Sequence, residues 1–379
     1  MKNLRYVLIP WVYTWLAGPL LAQAPGASEN SAIIPAPPPT PVSVTPPAGS
    51  GMTQTFTFNF QAGSALVNIL INSVLDGRQA CYLAFEPLYT SPGVPGVVAP
   101  TSGSLFLVDN AGDAAGPFAG MVLPGASTIS NSQCSISGMG SFVSVSSSGN
   151  TLSLTLAITF LAPEFSGNKV IYMAAANANG GSGWYAMGTW TVPGASSSGP
   201  TVNGMTPGRS TGYSQSYTFT FTDPIGWPDI AVTNVLINSA INGIGACYVA
   251  VVLGSAGSAA ILLVDDAGDS GGPFSALELP GPGMVSNSQC TIWGQGSSVS
   301  ASGTTLTLNL AITFKPSFAG NQVVYAAVRN SNQNSGWQAV GTAWVTGSDP
   351  IAPTITQLNP ASAREGSPAV TVTLTGTNF

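Results

Sequence analysis

Residues 305–314 read Thr-Leu-Thr-Leu-Asn-Leu-Ala-Ile-Thr-Phe, and their alternation decides the fold. Leu306, Leu308, Leu310, Ile312 and Phe314 fall on one face. Thr305, Thr307, Asn309 and Thr313 fall on the other, with Ala311 among them. A period of two marks a strand with one face in a core and the other in water. The decamer recurs as TLSLTLAITF at 151–160. Upstream of each copy stands Asn-Ser-Gln-Cys, at 131–134 and 287–290, and downstream a tract ending in Ser-Gly-Trp, at Trp184 and Trp337. The same landmarks in the same order indicate one structural unit, duplicated.

Further out, the pairing continues. TQTFTFNF places Phe56, Phe58 and Phe60 on one face of a strand, and SQSYTFTF places Tyr217, Phe219 and Phe221 on the equivalent face. NILINS (68–73) matches NVLINS (234–239), ACYLAF matches ACYVAV, and SLFLVDNAGD (104–113) matches AILLVDDAGD (260–269), an apolar strand ending in an acidic turn. The first cysteines of the two units are 166 residues apart, the second 156, and the Ser-Gly-Trp tryptophans 153. Repeat 1 therefore carries an insertion at 87–103, PLYTSPGVPGVVAPTSG, in a loop, where closure entropy grows slowly with length. Many short strands, frequent turn residues and no helical period predict an all-β protein of tandem immunoglobulin-like antiparallel β-sandwiches. The expected units are repeat 1 at 41–193, a short Gly/Ser linker at 194–200 and repeat 2 at 201–346.

Composition narrows the function. Of 379 residues only 6% are charged, yet 44% are hydrophobic and 9% aromatic, so the body is expected to fold. Eight Lys plus Arg and a net charge of −6 leave no basic patch for phosphates, which excludes nucleic acid as an expected partner. The chain has no histidine, and so lacks the commonest general base and the commonest transition-metal ligand. Lys2 and Arg5 precede an apolar run from Tyr6 to Ala22, and Ala22-Gln23-Ala24 resembles a cleavage site, which predicts a secretory signal peptide over 1–24. Residues 25–40 form a proline-rich linker. The expected location is outside the cell or on its surface.

In such a compartment four cysteines, two per repeat, predict Cys81–Cys134 and Cys247–Cys290 disulfides. Three pairings exist in principle, and duplication favours the one within each repeat. The rival reading, a zinc site, has neither a histidine nor a CxxC spacing behind it.

VVYAAVRNSNQNSGW (323–337) resembles the penultimate strand and final hairpin of immunoglobulin-like or fibronectin-like sandwiches, which implies a buried Tyr325. The whole of about 41–346 resembles an uncharacterised bacterial extracellular repeat with TFTF, LINS, ACY, LVxDAG, NSQC, LTLxLAITF and SGW blocks. That resemblance implies export and no particular activity. Residues 353–379 resemble the opening of an IPT/TIG immunoglobulin-like domain, with Pro360, Gly366 and the closing Gly376-Thr377-Asn378-Phe379. A truncated domain at 352–379 is the resulting expectation, with the chain a fragment of something longer.

Three patterns invite a chemical reading. Gly268-Asp269-Ser270-Gly271-Gly272-Pro273 reproduces the nucleophile motif of chymotrypsin-like proteases, but that serine needs a histidine, and repeat 1 has Ala114 in its place. The acidic turns, Asp109 and Asp113 in repeat 1 and Asp265, Asp266 and Asp269 in repeat 2, offer hard oxygen ligands for calcium as a cofactor. Turn carboxylates are equally expected for backbone reasons alone. Trp184 and Trp337 sit where loops carry function and are candidates for ligand contact or for packing. The second tryptophans do not correspond, because Trp190 aligns with Ala343 and Trp344 with Thr191, and a shift of one residue turns a side chain to the other face. The expectation is a secreted or cell-surface, non-catalytic structural or adhesive protein. Its partners are an extracellular polysaccharide or a cell-surface protein. The alternative is a carbohydrate-binding or accessory region of a larger secreted enzyme.

Overall fold

A computed structural model describes residues 38–88, 100–113, 115–146, 148–194, 198–254, 257–269, 271–347, 354–360 and 373–377. The signal peptide and nearly all of the proline-rich linker lie outside these residues. Repeat 1 contains β1 (Pro41–Thr45), β2 (Ala48–Ser50), β3 (Thr53–Gln61), β4 (Leu66–Asn72), β5 (Cys81–Pro87), β6 (Gly103–Val108) and β7 (Phe118–Leu123). It continues with β8 (Thr128–Ser130), β9 (Cys134–Val145), β10 (Thr151–Phe160), β11 (Gly167–Asn177), β12 (Gly180–Gly181) and β13 (Tyr185–Val192). Repeat 2 contains β14 (Thr201–Thr206), β15 (Arg209–Thr211), β16 (Ser214–Thr222), β17 (Val232–Asn238), β18 (Cys247–Leu253) and β19 (Ala259–Val264). Its remaining strands are β20 (Phe274–Leu279), β21 (Met284–Ser286), β22 (Cys290–Ser302), β23 (Thr305–Phe314), β24 (Gly320–Arg329) and β25 (Gln338–Val345). Two further strands, β26 (Thr354–Asn359) and β27 (Thr373–Thr377), pair antiparallel with each other.

Each repeat is a sandwich of two sheets. The front sheet of repeat 1 has the order β1-β3-β10-β9-β8 and the back sheet β2-β13-β11-β4-β5-β6-β7, with β12 on β11. Repeat 2 repeats this as β14-β16-β23-β22-β21 and β15-β25-β24-β17-β18-β19-β20. Pairing is antiparallel except at one edge, where β2 lies parallel to β13 and β15 parallel to β25. The first strand of each sandwich is split. Its leading half closes the front sheet, and its trailing half crosses to the back sheet.

The alternating apolar residues meet between the sheets. Phe56, Phe58, Phe60, Leu152, Leu154, Leu156, Ile158 and Phe160 are buried in repeat 1, and their repeat 2 counterparts are buried likewise. Cys81 opens β5 in the back sheet and Cys134 opens β9 in the front sheet, and their disulfide staples the two layers with Cα atoms 5.6 Å apart. Cys247–Cys290 does the same in repeat 2. The separations of 53 and 43 residues make each bridge worth about 4 kcal/mol through the entropy it removes from the unfolded chain.

The Gly/Ser composition of 194–200 leaves open whether the two repeats are docked, and the structure docks them back sheet to back sheet. A third apolar cluster joins Leu70, Val170, Tyr172 and Ala186 to Leu236, Val323, Tyr325 and Ala339. Tyr325 is buried, though against the other repeat rather than inside its own sandwich. The contact is reciprocal. Asn168 donates to the Ala339 carbonyl at 3.1 Å, and its counterpart Asn321 donates to the Ala186 carbonyl at 2.8 Å. The equivalent residues Tyr172 and Tyr325 lie in the same buried cluster, and each phenol influences the other's ionisation. A patch that contacts its own counterpart in this way has the geometry of an isologous, two-fold interface.

Candidate functional site

The Asn-Ser-Gln-Cys motif is a brace. The Asn131 side-chain amide donates to the Ala80 carbonyl at 2.9 Å and to the Val108 carbonyl at 3.1 Å, and its oxygen accepts from the Gln133 and Cys134 amides. Asn287 makes the four equivalent bonds, to Ala246, Val264, Gln289 and Cys290. One side chain thus ties the start of one strand, the end of a second and its own turn beside the disulfide. Its hydrogen-bonding capacity is filled.

The acidic turns are held the same way. Asp109 accepts from the Ala111 amide, Asp113 from Ala115, Asp265 from Ala267 and Asp269 from Gly271. Asp266 instead accepts from the Ser288 amide and hydroxyl. The glycine before the last aspartate of each turn is needed for close approach: a Cβ on Gly112 would overlap the Gly77 carbonyl, and one on Gly268 that of Gly243. Both glycines have positive φ, 70° and 71°. The Gly-Asp of the protease-like stretch is therefore explained by backbone geometry, and Ser270 lies outside the described residues. Among the described residues no three acidic or cysteine side chains gather as a metal site. Asp223 and Asp229 do converge. Both accept from the side-chain amide of Asn330, at 3.2 and 2.6 Å, with Asp223 fully buried.

The four tryptophans separate. Trp184 and Trp337 are half-buried at the margin of the inter-repeat cluster, each edge-on to a tyrosine, Tyr82 at 5.8 Å and Tyr248 at 5.6 Å. Trp190 points into the repeat 1 core, 3% exposed, edge-on to Phe56 and donating to the Gly51 carbonyl. Trp344 points outward, 37% exposed, and stacks on Tyr185 of repeat 1. Both β11/β13 and β24/β25 carry a bulge at the same place, so neither undoes the one-residue offset between Trp190 and Trp344.

A concave site that brings two aromatic side chains together with a cation and an anion lies on the outer face of the repeat 2 back sheet. This groove, of about 400 Å³, crosses β24, β17, β18, β19 and β20. Ala250 and Leu262 lie along it with Tyr248, Asn234, Phe274, Asp269 and Arg329. Phe274 is 43% exposed. Tyr248 reaches the Asn234 oxygen at 3.5 Å. Burial pushes the Tyr248 phenol up, and the nearby Arg329 guanidinium draws it back. Among the described residues Asp76 and Arg78 form an ion pair and Arg329 forms none. In repeat 1 the corresponding Asn68, Tyr82 and Ala84 are each only 1% exposed, and this face is closed. Of the groove residues only Asp269 was singled out by the sequence. With only eight Lys plus Arg in the chain, the rarity of cations is a signal that points to Arg329 and that the sequence reading missed.

Neither a protein-family model nor a curated protein matches the chain.

Proposed function

We propose that the chain is a non-catalytic structural and adhesive protein that works outside the cell or at its surface. The observation that supports this most is the reciprocal docking of two disulfide-stapled sandwiches into one body. Around it, each turn carboxylate accepts at least one backbone amide, and Trp184 and Trp337 pack on tyrosines. Disulfides fit an oxidising compartment, and no helix among the described residues is long and apolar enough to cross a membrane.

The test is retention without turnover. Purified protein incubated with cell envelopes and extracellular matrix is expected to bind and to elute unchanged, and to hydrolyse no peptide, ester or glycoside substrate. Turnover of any of these, or failure to be retained on every surface, overturns the reading. The second reading, a carbohydrate-binding accessory region of a larger secreted enzyme, draws on the groove of repeat 2. It differs in what the chain is joined to.

A further inference from the structure

We infer that the groove on the outer face of the repeat 2 back sheet is a binding site for an uncharged polysaccharide, and that the chain carries one such site rather than two. The inference rests on the adhesive reading above and names its ligand class.

The argument is chemical. A sugar ring has an apolar C–H face and a rim of hydroxyls, so its sites pair an aromatic surface with planar hydrogen-bonding groups. Phe274 and Tyr248 supply the first, and Asn234, Asp269 and Arg329 supply the second. The Gly271 amide occupies one oxygen of Asp269 and leaves the other for a ligand. Arg329 offers several donors in one plane, suited to adjacent hydroxyls. One cation and one anion leave the groove close to neutral, which disfavours an acidic polymer. Its volume of about 400 Å³ falls within the range of small-molecule sites, about 300–1,000 Å³. Finally, the two repeats differ at this face. The matching face of repeat 1 is closed over Tyr82 and Ala84, so duplication of the fold has not duplicated the site.

Isothermal titration of the full chain tests this, using soluble β-1,4- and β-1,3-gluco-, xylo- and manno-oligosaccharides, with oligogalacturonate as the charged comparison. At least one uncharged oligosaccharide is expected to bind with a stoichiometry of one per chain. Phe274→Ala and Arg329→Ala should each weaken it by about tenfold or more, about 1.4 kcal/mol, with unchanged melting temperatures. Trp184→Ala should leave binding intact. Binding at two sites per chain, binding indifferent to both groove variants, binding of oligogalacturonate alone, or no binding at all overturns the inference. In the last case retention on cell envelopes is still expected, so the site can fail while the adhesive reading stands.

Discussion

At the scale of single residues, two side chains show how much of the motif content is structural. Asn131 and Asn287 each close four hydrogen bonds among three backbone segments. Replacing either by alanine strands two carbonyls and two amides, and is expected to cost about 2–3 kcal/mol. Urea denaturation measures it, and a loss below about 0.5 kcal/mol would show that water replaces the brace. A second lesson comes from one position filled in two ways. In repeat 1, Gly49 lies beside Trp190, and a Cβ there would overlap the indole ring. In repeat 2 the same places hold Ser210 and Ala343, and the Ser210 hydroxyl pairs with that of Tyr217 at 2.7 Å. The large ring with glycine and the small alanine with a hydrogen-bonded pair fill equivalent space. Trp190→Ala is therefore expected to cost about 3–5 kcal/mol, the range for a buried aromatic, read from the shift in denaturation midpoint. For the acidic turns, each carboxylate already serves a backbone amide. Calcium or a chelator is expected to leave the melting temperature unchanged, and a rise with calcium would reinstate a metal at these turns.

Among the elements, the strands were legible because alternation is a local property. TLSLTLAITF and TLTLNLAITF read from the sequence as half-buried strands and are so in the structure. The docking was not read, and for a physical reason. A residue's polarity says that it will be covered, never by which surface. Still, a signal was present. In GNQVVYAAVR, Val324, Ala326 and Val328 line one face and Val323 and Tyr325 the other, and a strand apolar on both faces is one covered on both. The groove was hidden more deeply, since its aromatic and charged residues come from three strands and a turn. The element-level prediction concerns β11 and β24. If their reciprocal contact couples the sandwiches, the native chain unfolds in one transition, and Tyr325→Ala or Asn321→Ala splits it in two. Calorimetry decides. A single transition retained in both variants would place the coupling elsewhere.

For the whole molecule, the charge economy sets the response to pH. Without histidine, stability is expected to stay level from about pH 6 to about pH 9. Above that, the buried phenols take over. Desolvation pushes Tyr217 and Tyr325 up to about 12, and Tyr172 up as well. An unfolded tyrosine ionises near about pH 10. Between these values the unfolded chain has given up protons that the native chain keeps, so stability is full below about pH 10 and falls as pH rises toward about 12. Urea midpoints across that window should drop steeply in the native chain and less in Tyr217→Phe. An equal drop in both would assign the loss to other groups. The reciprocal interface has one more consequence. Two separate copies joined by such a face would part once released into a large volume, because association depends on how much protein is present. Residues 194–200 tie the partners together and hold each at an effective concentration in the millimolar range. The pairing then survives any degree of dilution.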